Sequence, residues 1–383
     1  MPKVLLKNVV ARIKDKVDKD NTDLEYYIGG EHFDSGEIQI SKKGIIKEST
    51  IGPAFHMRFQ AGDVLLMSRN PHLRKAGVVD FEGICSDVSY VCRTKDENVL
   101  MQRFIPFIFQ TDHFWKFAEE NKKGSTNFFL NWSDFEKYEF ELPEIDTQRK
   151  LCEMMWALED TKTAYKKLLL QTDELVKSQF IEMFGDPESV IENAINTVAD
   201  VADVQVGLVI KPTRFYSADG TGTPAFRSLN IGEMYIRDSE WVYFTNKGMV
   251  ENQRTIAHTG DVLVVRSGYP GTSCVVTPEY DGRNVVDLII AHPNVSKILP
   301  EFLCAFTNYP HGKIQIENSQ RGVAQKHFNV SLYNKMKIVV PPMELQKQFV
   351  RLLHQSDKSK FELRQAIEDT NNLMRTFMMK KYR

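Results

Sequence analysis

Leu142-Pro143-Glu144-Ile145-Asp146-Thr147-Gln148 opens a run that continues to Phe184-Gly185-Asp186-Pro187, and Val340-Pro341-Pro342-Met343-Glu344-Leu345-Gln346 opens a second run of the same kind. Each opening has an apolar residue, a proline suited to the first turn of a helix, and a glutamine five places after that proline. A long stretch without glycine or proline follows each one. In the first, Leu151, Met155, Leu158, Tyr165, Leu169, Val176, Phe180 and Met183 fall at spacings of three, four or seven, a stripe on one helix face. Leu345, Phe349, Leu352, Ile367, Met374 and Phe377 repeat the pattern less regularly in the second. Helices of roughly 36 residues, about 55 Å long, are expected at both places. A stripe of that length needs a partner, and the other copy is the simplest one.

Working outward, the duplication extends beyond the helices. Gly62-Asp63-Val64-Leu65 recurs as Gly260-Asp261-Val262-Leu263, an offset of 260 − 62 = 198. The same offset, without a gap, aligns Phe104 with Phe302, Glu119 with Glu317, Gly124 with Gly322, Asn131 with Asn329, Ser133 with Ser331, Lys137 with Lys335, Pro143 with Pro341 and Gln148 with Gln346. Chance matches scatter over many offsets; these do not. The chain therefore reads as two copies of one mixed α+β unit, each a variable globular part followed by a long helix. The boundaries are 1–141, 142–185 (first helix), 186–339 and 340–383 (second helix).

Composition sets the class. The chain has 383 residues, 42% hydrophobic and 26% charged, enough for two domains of an ordinary globular protein. Cys85, Cys92, Cys152, Cys274 and Cys304 lack metal-type spacing, so reduced thiols in a cytoplasmic protein are expected, with no metal. No run of 18 apolar residues and no leader-like start is found, so neither a membrane span nor a signal peptide is expected. The net charge of −2 argues mildly against a nonspecific nucleic-acid binder, but leaves room for clustered basic residues on a specific one. No GxxxxGK[ST] phosphate loop and no HExxH pair occurs, and Asn70-Pro71-His72-Leu73 lacks the second proline and the aromatic of an adenine-methyltransferase motif. A non-catalytic chain without cofactor is expected.

The Gly-Asp-Val-Leu runs, the glycine-bearing loops at Gly124 and Gly322, the proline-to-glutamine helix openings and the tandem layout together resemble the specificity subunits of Type I restriction-modification systems. The resemblance covers essentially the whole chain. It implies two repeated target-recognition domains separated by two long antiparallel helices that form a coiled-coil spacer. It further implies that each domain reads one half of a bipartite site in double-stranded DNA. The partners it implies are two methyltransferase (modification) subunits, together with restriction and motor subunits. A two-domain protein-interaction scaffold with no DNA role is the alternative, and binding to a defined duplex separates the two.

Base edges are read by donors and acceptors on loops that enter a groove: arginine or lysine suits guanine, asparagine or glutamine suits adenine. Arg69, Asn70, His72, Arg74 and Lys75 offer these between two expected strands of the first unit. Arg266, Ser267 and Tyr269 hold the same place in the second, with Lys211, Arg227 and Asn230 as additions. Lys122, Lys123 and Asn127, and likewise Arg321, Gln325 and Lys326, lie on the glycine-bearing loops and suit phosphates or bases. Taken singly, each is as well read as a solvated surface side chain. Gln148 and Gln346 suit either a helix cap or a partner contact, and the sequence leaves both open.

Overall fold

The computed structural model describes residues 2–320 and 328–381, so Arg321, Gln325 and Lys326 lie outside the described residues. The chain divides into two compact units, Met1–Lys167 with Leu363–Arg383 (unit 1) and Leu168–Glu362 (unit 2). This division differs from the sequential one: each unit takes half of each long helix. Those helices run Ile145–Phe184 and Met343–Lys381, 40 and 39 residues, longer than expected and about 60 Å each. Both prolines precede the helix instead of entering its first turn. The first helical N–H groups donate to the carbonyls of Glu144 and Pro342. Gly185 ends the first helix at φ +93°, where a side chain would be strained, and Asp186 caps the short helix Pro187–Asn193 that follows.

Within unit 1 the start of the first long helix packs with the end of the second: Leu151, Cys152, Met155 and Trp156 share one core with Met374, and Leu158 and Phe377 lie against it. Within unit 2, Val176, Phe180 and Phe184 share a core with Phe349 and Leu353, with Met183 and Leu352 at its edge. Lys360 joins Asp173 across the pair at 3.0 Å. The pairing is therefore antiparallel in both units. Tyr165, Leu169 and Ile367 are only partly buried and join no core cluster. Leu345 leaves the expected stripe altogether, at 39% exposure. Its neighbour Gln346 takes the inward position, and one residue further round a helix is a turn of about 100°.

Each globular part is organised on a four-stranded antiparallel sheet of the same order. In unit 1 it runs Val10–Ile13, Ser89–Thr94, Val64–Met67, Ala76–Val78, and in unit 2 Ala202–Val206, Leu288–Pro293, Val262–Val265, Ser273–Val275. The Gly-Asp-Val-Leu segment supplies an inner strand of each, and its alternation explains the unbroken apolar run. Val64 and Leu66 face one core while Leu65 and Met67 face another. Val262 and Val264, and then Leu263 and Val265, do the same in unit 2. A strand covered on both faces has no polar side to show. Gly62 and Gly260 enter the strand at φ +89° and +90°, which accounts for glycine at both.

The aspartates complete the shared turn. Asp63 accepts the N–H of Gln60 at 2.8 Å and pairs with Arg93; Asp261 accepts the N–H of His258 at 2.7 Å and meets His292 Nδ1 at 2.6 Å. Two helical stretches, 105–120 and 300–320, are each broken, into Ile105–Phe109 with Asp112–Glu120 and Pro300–Asn308 with Pro310–Gln320. Pro310 accounts for the second break, since its ring bars a continuous helix. The five cysteines are free and buried, and burial pushes thiols such as Cys85 up to about 12, so they act as core fillers.

Gln148 and Gln346 resolve into one device. Each is 0% exposed. Gln148 donates to the carbonyls of Val99 and Pro143, both at 2.8 Å, and accepts the N–H of Met101 at 3.0 Å. Gln346 donates to Lys297 and Pro341 and accepts from Leu299, all at 2.9 Å. The residue types around them differ, but the backbone groups engaged are the same, so the glutamine pins the long helix to its own globular part in both units. Neither is available to a partner.

Candidate nucleic-acid interface

Antiparallel order puts specific loops at one end of each sheet. In unit 1 that end is marked by Ile13, Ser89, Met67 and Ala76, so 14–25, 68–75 and 86–88 all leave it. In unit 2 it is marked by Val206, Leu288, Val265 and Ser273, so the segment from 207, the loop 266–272 and 285–287 leave it. Arg69, Asn70, His72, Arg74 and Lys75 in unit 1, and Lys211, Arg266, Ser267 and Tyr269 in unit 2, lie on these loops at corresponding sheet ends.

In unit 1 the fold welds two of the expected loops into one surface. Leu130 N–H donates to Ser68 O and Asn70 N–H to Phe128 O, both at 2.9 Å, and Arg69 pairs in a bridge with Phe129. The Arg69 guanidinium lies 5.4 Å from the Phe129 ring centre, a cation–π contact that steers an otherwise exposed side chain. Asn70 and Arg74 sit at φ +50° and +48°, on either side of the short turn Pro71–Leu73. Gly124 has φ +92°, and a Cβ there would come within 2.7 Å of Asn127 O, so this loop needs its glycine.

Partners divide the unit 1 candidates into two sets. Arg74 reaches Asp112 at 2.5 Å, Lys75 donates to Gly30 O at 2.6 Å, Lys122 meets Glu119 at 2.7 Å and covers the Phe128 ring, and Lys123 meets Asp134 at 2.7 Å. The Lys123 ammonium, with Lys137 beside it, holds the Asp134 carboxyl below its usual range despite some burial. Of these contacts the Arg74–Asp112 pair is exposed on both sides, so it is individually weak. Asn70, His72 and Asn127 have no side-chain partner among the described residues, which leaves their donors and acceptors to solvent or a ligand.

Unit 2 uses the same end differently. Arg266 is turned inward, with Nη1 on Asp287 at 2.6 Å and Nε on Phe328 O at 3.3 Å. Ser267 follows it, and Tyr269 beyond stands 85% exposed on a turn that Thr272 N–H closes onto Tyr269 O at 3.2 Å. Lys211 is exposed at φ +47°, and Arg227 donates to Glu240 O at 2.5 Å. Asn230 is the correction. It is 0% exposed, accepting from Arg227 N–H at 2.9 Å and donating to Ser239 O at 2.7 Å, so it locks the 227–239 segment and does not face a ligand. Sequence reasoning missed Val209, Ile210 and Arg214 on the segment after 207, and Phe128 under Lys122 and Phe129 under Arg69. Adjacent aromatics beside a basic glycine loop were the available signal for the last two.

Together these features define a class: a duplicated α+β protein whose units each carry a loop-bearing antiparallel sheet and half of each of two long helices. The chain has the fold of the S subunit of type I restriction-modification systems. It is similar to a solved chain of a type I R-M system, from work on that system's complex assembly and conformational transition, at TM-score 0.59 and 17% identity, covering 99% of this chain and 97% of that one. It is also similar to the type I restriction-modification S subunit from M. genitalium, at TM-score 0.55 and 12% identity over 100% and 96% of the two chains. No family model and no curated protein matches the sequence. Among the described residues no helix is long and apolar enough to cross a membrane.

Proposed function

We propose that this chain is a non-catalytic, cytoplasmic DNA-reading subunit that directs methyltransferase subunits, and restriction subunits with them, to an asymmetric bipartite site in double-stranded DNA. The carrying observation is that two equivalent sheets present their candidate loops at the same end while the side chains on those loops differ. Equivalent frames call for two readers of one kind; different loops call for two different half-sites. By resemblance, the long helices set the number of base pairs between the halves and dock two modification subunits. The chain offers base-edge donors and acceptors in Arg69, Asn70, His72 and Asn127, and phosphate partners in Arg74, Lys75, Lys122 and Lys123, so recognition belongs to it and chemistry to the partners.

Methylation mapping tests this directly. DNA from cells carrying the chain and its methyltransferase is compared with DNA from cells lacking this chain alone. The expected result is a split motif that vanishes on deletion. An unchanged methylation pattern, with the methyltransferase expressed and active, would overturn the reading in favour of a protein scaffold.

A further inference from the structure

The segment 207–215 of unit 2 is built to hold an aliphatic tip outside the fold. Leu208 O accepts Asp287 N–H at 3.1 Å and its N–H donates to Val285 O at 2.8 Å. At the far side Phe215 is buried in a small core with Ala225, Phe244 and Val286, against which Leu208 also packs. Between these anchors Val209 is 47% and Ile210 74% exposed, and Lys211 at φ +47° turns the chain into Pro212. Neighbouring residues are thus fixed while Ile210 remains in water, flanked by the exposed cations Lys211 and Arg214. Asp287, which holds Leu208, also holds Arg266, and Arg266 opens the loop that presents Tyr269. Gly268 and Gly271, at φ +86° and +87°, let that loop turn sharply on either side of the tyrosine.

Two apolar tips, one aliphatic and one aromatic, therefore leave the same sheet end from either side of the Arg266–Asp287 pair. In the major groove, the chemical group that rewards an apolar tip is the C5-methyl of thymine. Cations beside the tip suit the phosphates that line the groove. Resting on the DNA-reading function proposed above, we infer that unit 2 recognises thymine methyl groups in its half-site through Ile210 and Tyr269. Unit 1, with Arg69, Asn70 and Asn127 at the equivalent end, reads its half by hydrogen bonding.

Replacing thymidine by deoxyuridine removes that methyl and leaves every base-pairing group in place. Once the motif has been mapped, duplexes carrying uracil in one half or the other are tested for binding to the full chain in complex with its modification subunits. Uracil in the half read by unit 2 is expected to weaken binding about fourfold per contacted methyl, the worth of one buried methylene. Ile210→Ala and Tyr269→Ser are each expected to lower that discrimination, Tyr269→Phe to keep it, and none to alter the response to uracil in the other half. Equal affinity for thymine and uracil duplexes in the unit 2 half, or a half-site with no thymine on either strand, would overturn the inference while leaving the DNA-reading function standing. A complex that binds no split site would overturn that function, and this inference with it.

Discussion

Ser68 and Arg266 occupy equivalent places, 266 − 68 = 198 residues apart. The carbonyl of each accepts a main-chain N–H from the glycine-bearing loop, Leu130 to Ser68 at 2.9 Å and Phe328 to Arg266 at 3.0 Å. From there the two units diverge. Unit 1 continues with an exposed Arg69 on an aromatic base and two amides beside it, whereas unit 2 turns its arginine inward and exposes Tyr269 and Ile210. The contrast separates what the duplication preserves from what it releases. Main-chain bonds that position the loops are kept, and side chains at the tips are exchanged, because a tip contributes little to folding and can vary at low cost.

The comparison breaks most visibly at the glutamines, where both units should behave alike. Replacing Gln148 by Leu leaves Met101 N–H and the carbonyls of Val99 and Pro143 without partners in a buried site. The expected cost is about 3 kcal/mol, and Gln346→Leu should cost about the same. Urea unfolding of the full chain measures both. A cheap Gln346→Leu beside a costly Gln148→Leu would mean that the two long helices are not held by equivalent pins.

Next in size is the divergence of the arginines. Arg69→Ala should cost roughly 1 to 3 kcal/mol in binding if it makes a bidentate base contact, and should relax the methylated motif in one half only. Arg266→Ala should instead lower stability, since its guanidinium is engaged by Asp287 and Phe328 O, and should leave the other half unaffected. Motif mapping on both variants decides the matter. A broadened motif in both halves after Arg69→Ala would end the assignment of one half to each unit.

Repetition made much of this legible in the sequence. The offset of 198 aligns the Gly-Asp-Val-Leu runs, the glycine-bearing loops and the openings of the long helices, because those features depend on local turn chemistry and periodic burial. What the sequence concealed was pairing at a distance. That 68–75 meets 128–130, that Asn230 is enclosed, and that Gln346 displaces Leu345 from the inner face are consequences of tertiary packing, which short-range patterns do not encode. Ile210 is not legible because it closes the apolar run Leu208-Val209-Ile210, which reads as buried until its exposure is known.

The smallest expected difference lies at the opposite end of each sheet, in what the shared aspartate holds. Asp63 pairs with Arg93, which the Asp63 carboxylate keeps protonated at every ordinary pH; Asp261 pairs with His292, which titrates. The bond to Asp261 raises the His292 pKa above 6.5 against its partial burial, with the charges of Asp261 and Asp203 adding to it. Gln205 is the other side chain on the ring, its Nε2 2.9 Å from His292 Nε2. A histidine whose pKa is higher folded than unfolded binds its proton more tightly in the native state. Its contribution is thus fully present below its ordinary value and is lost as pH rises through the folded one. Asp261→Asn should therefore destabilise the chain more at about pH 6 than at about pH 9, while Asp63→Asn should cost the same at both. Thermal unfolding of the two variants across that range measures the difference. Parallel pH profiles would show that His292 is already neutral in the fold, and that the two aspartates act only as turn caps.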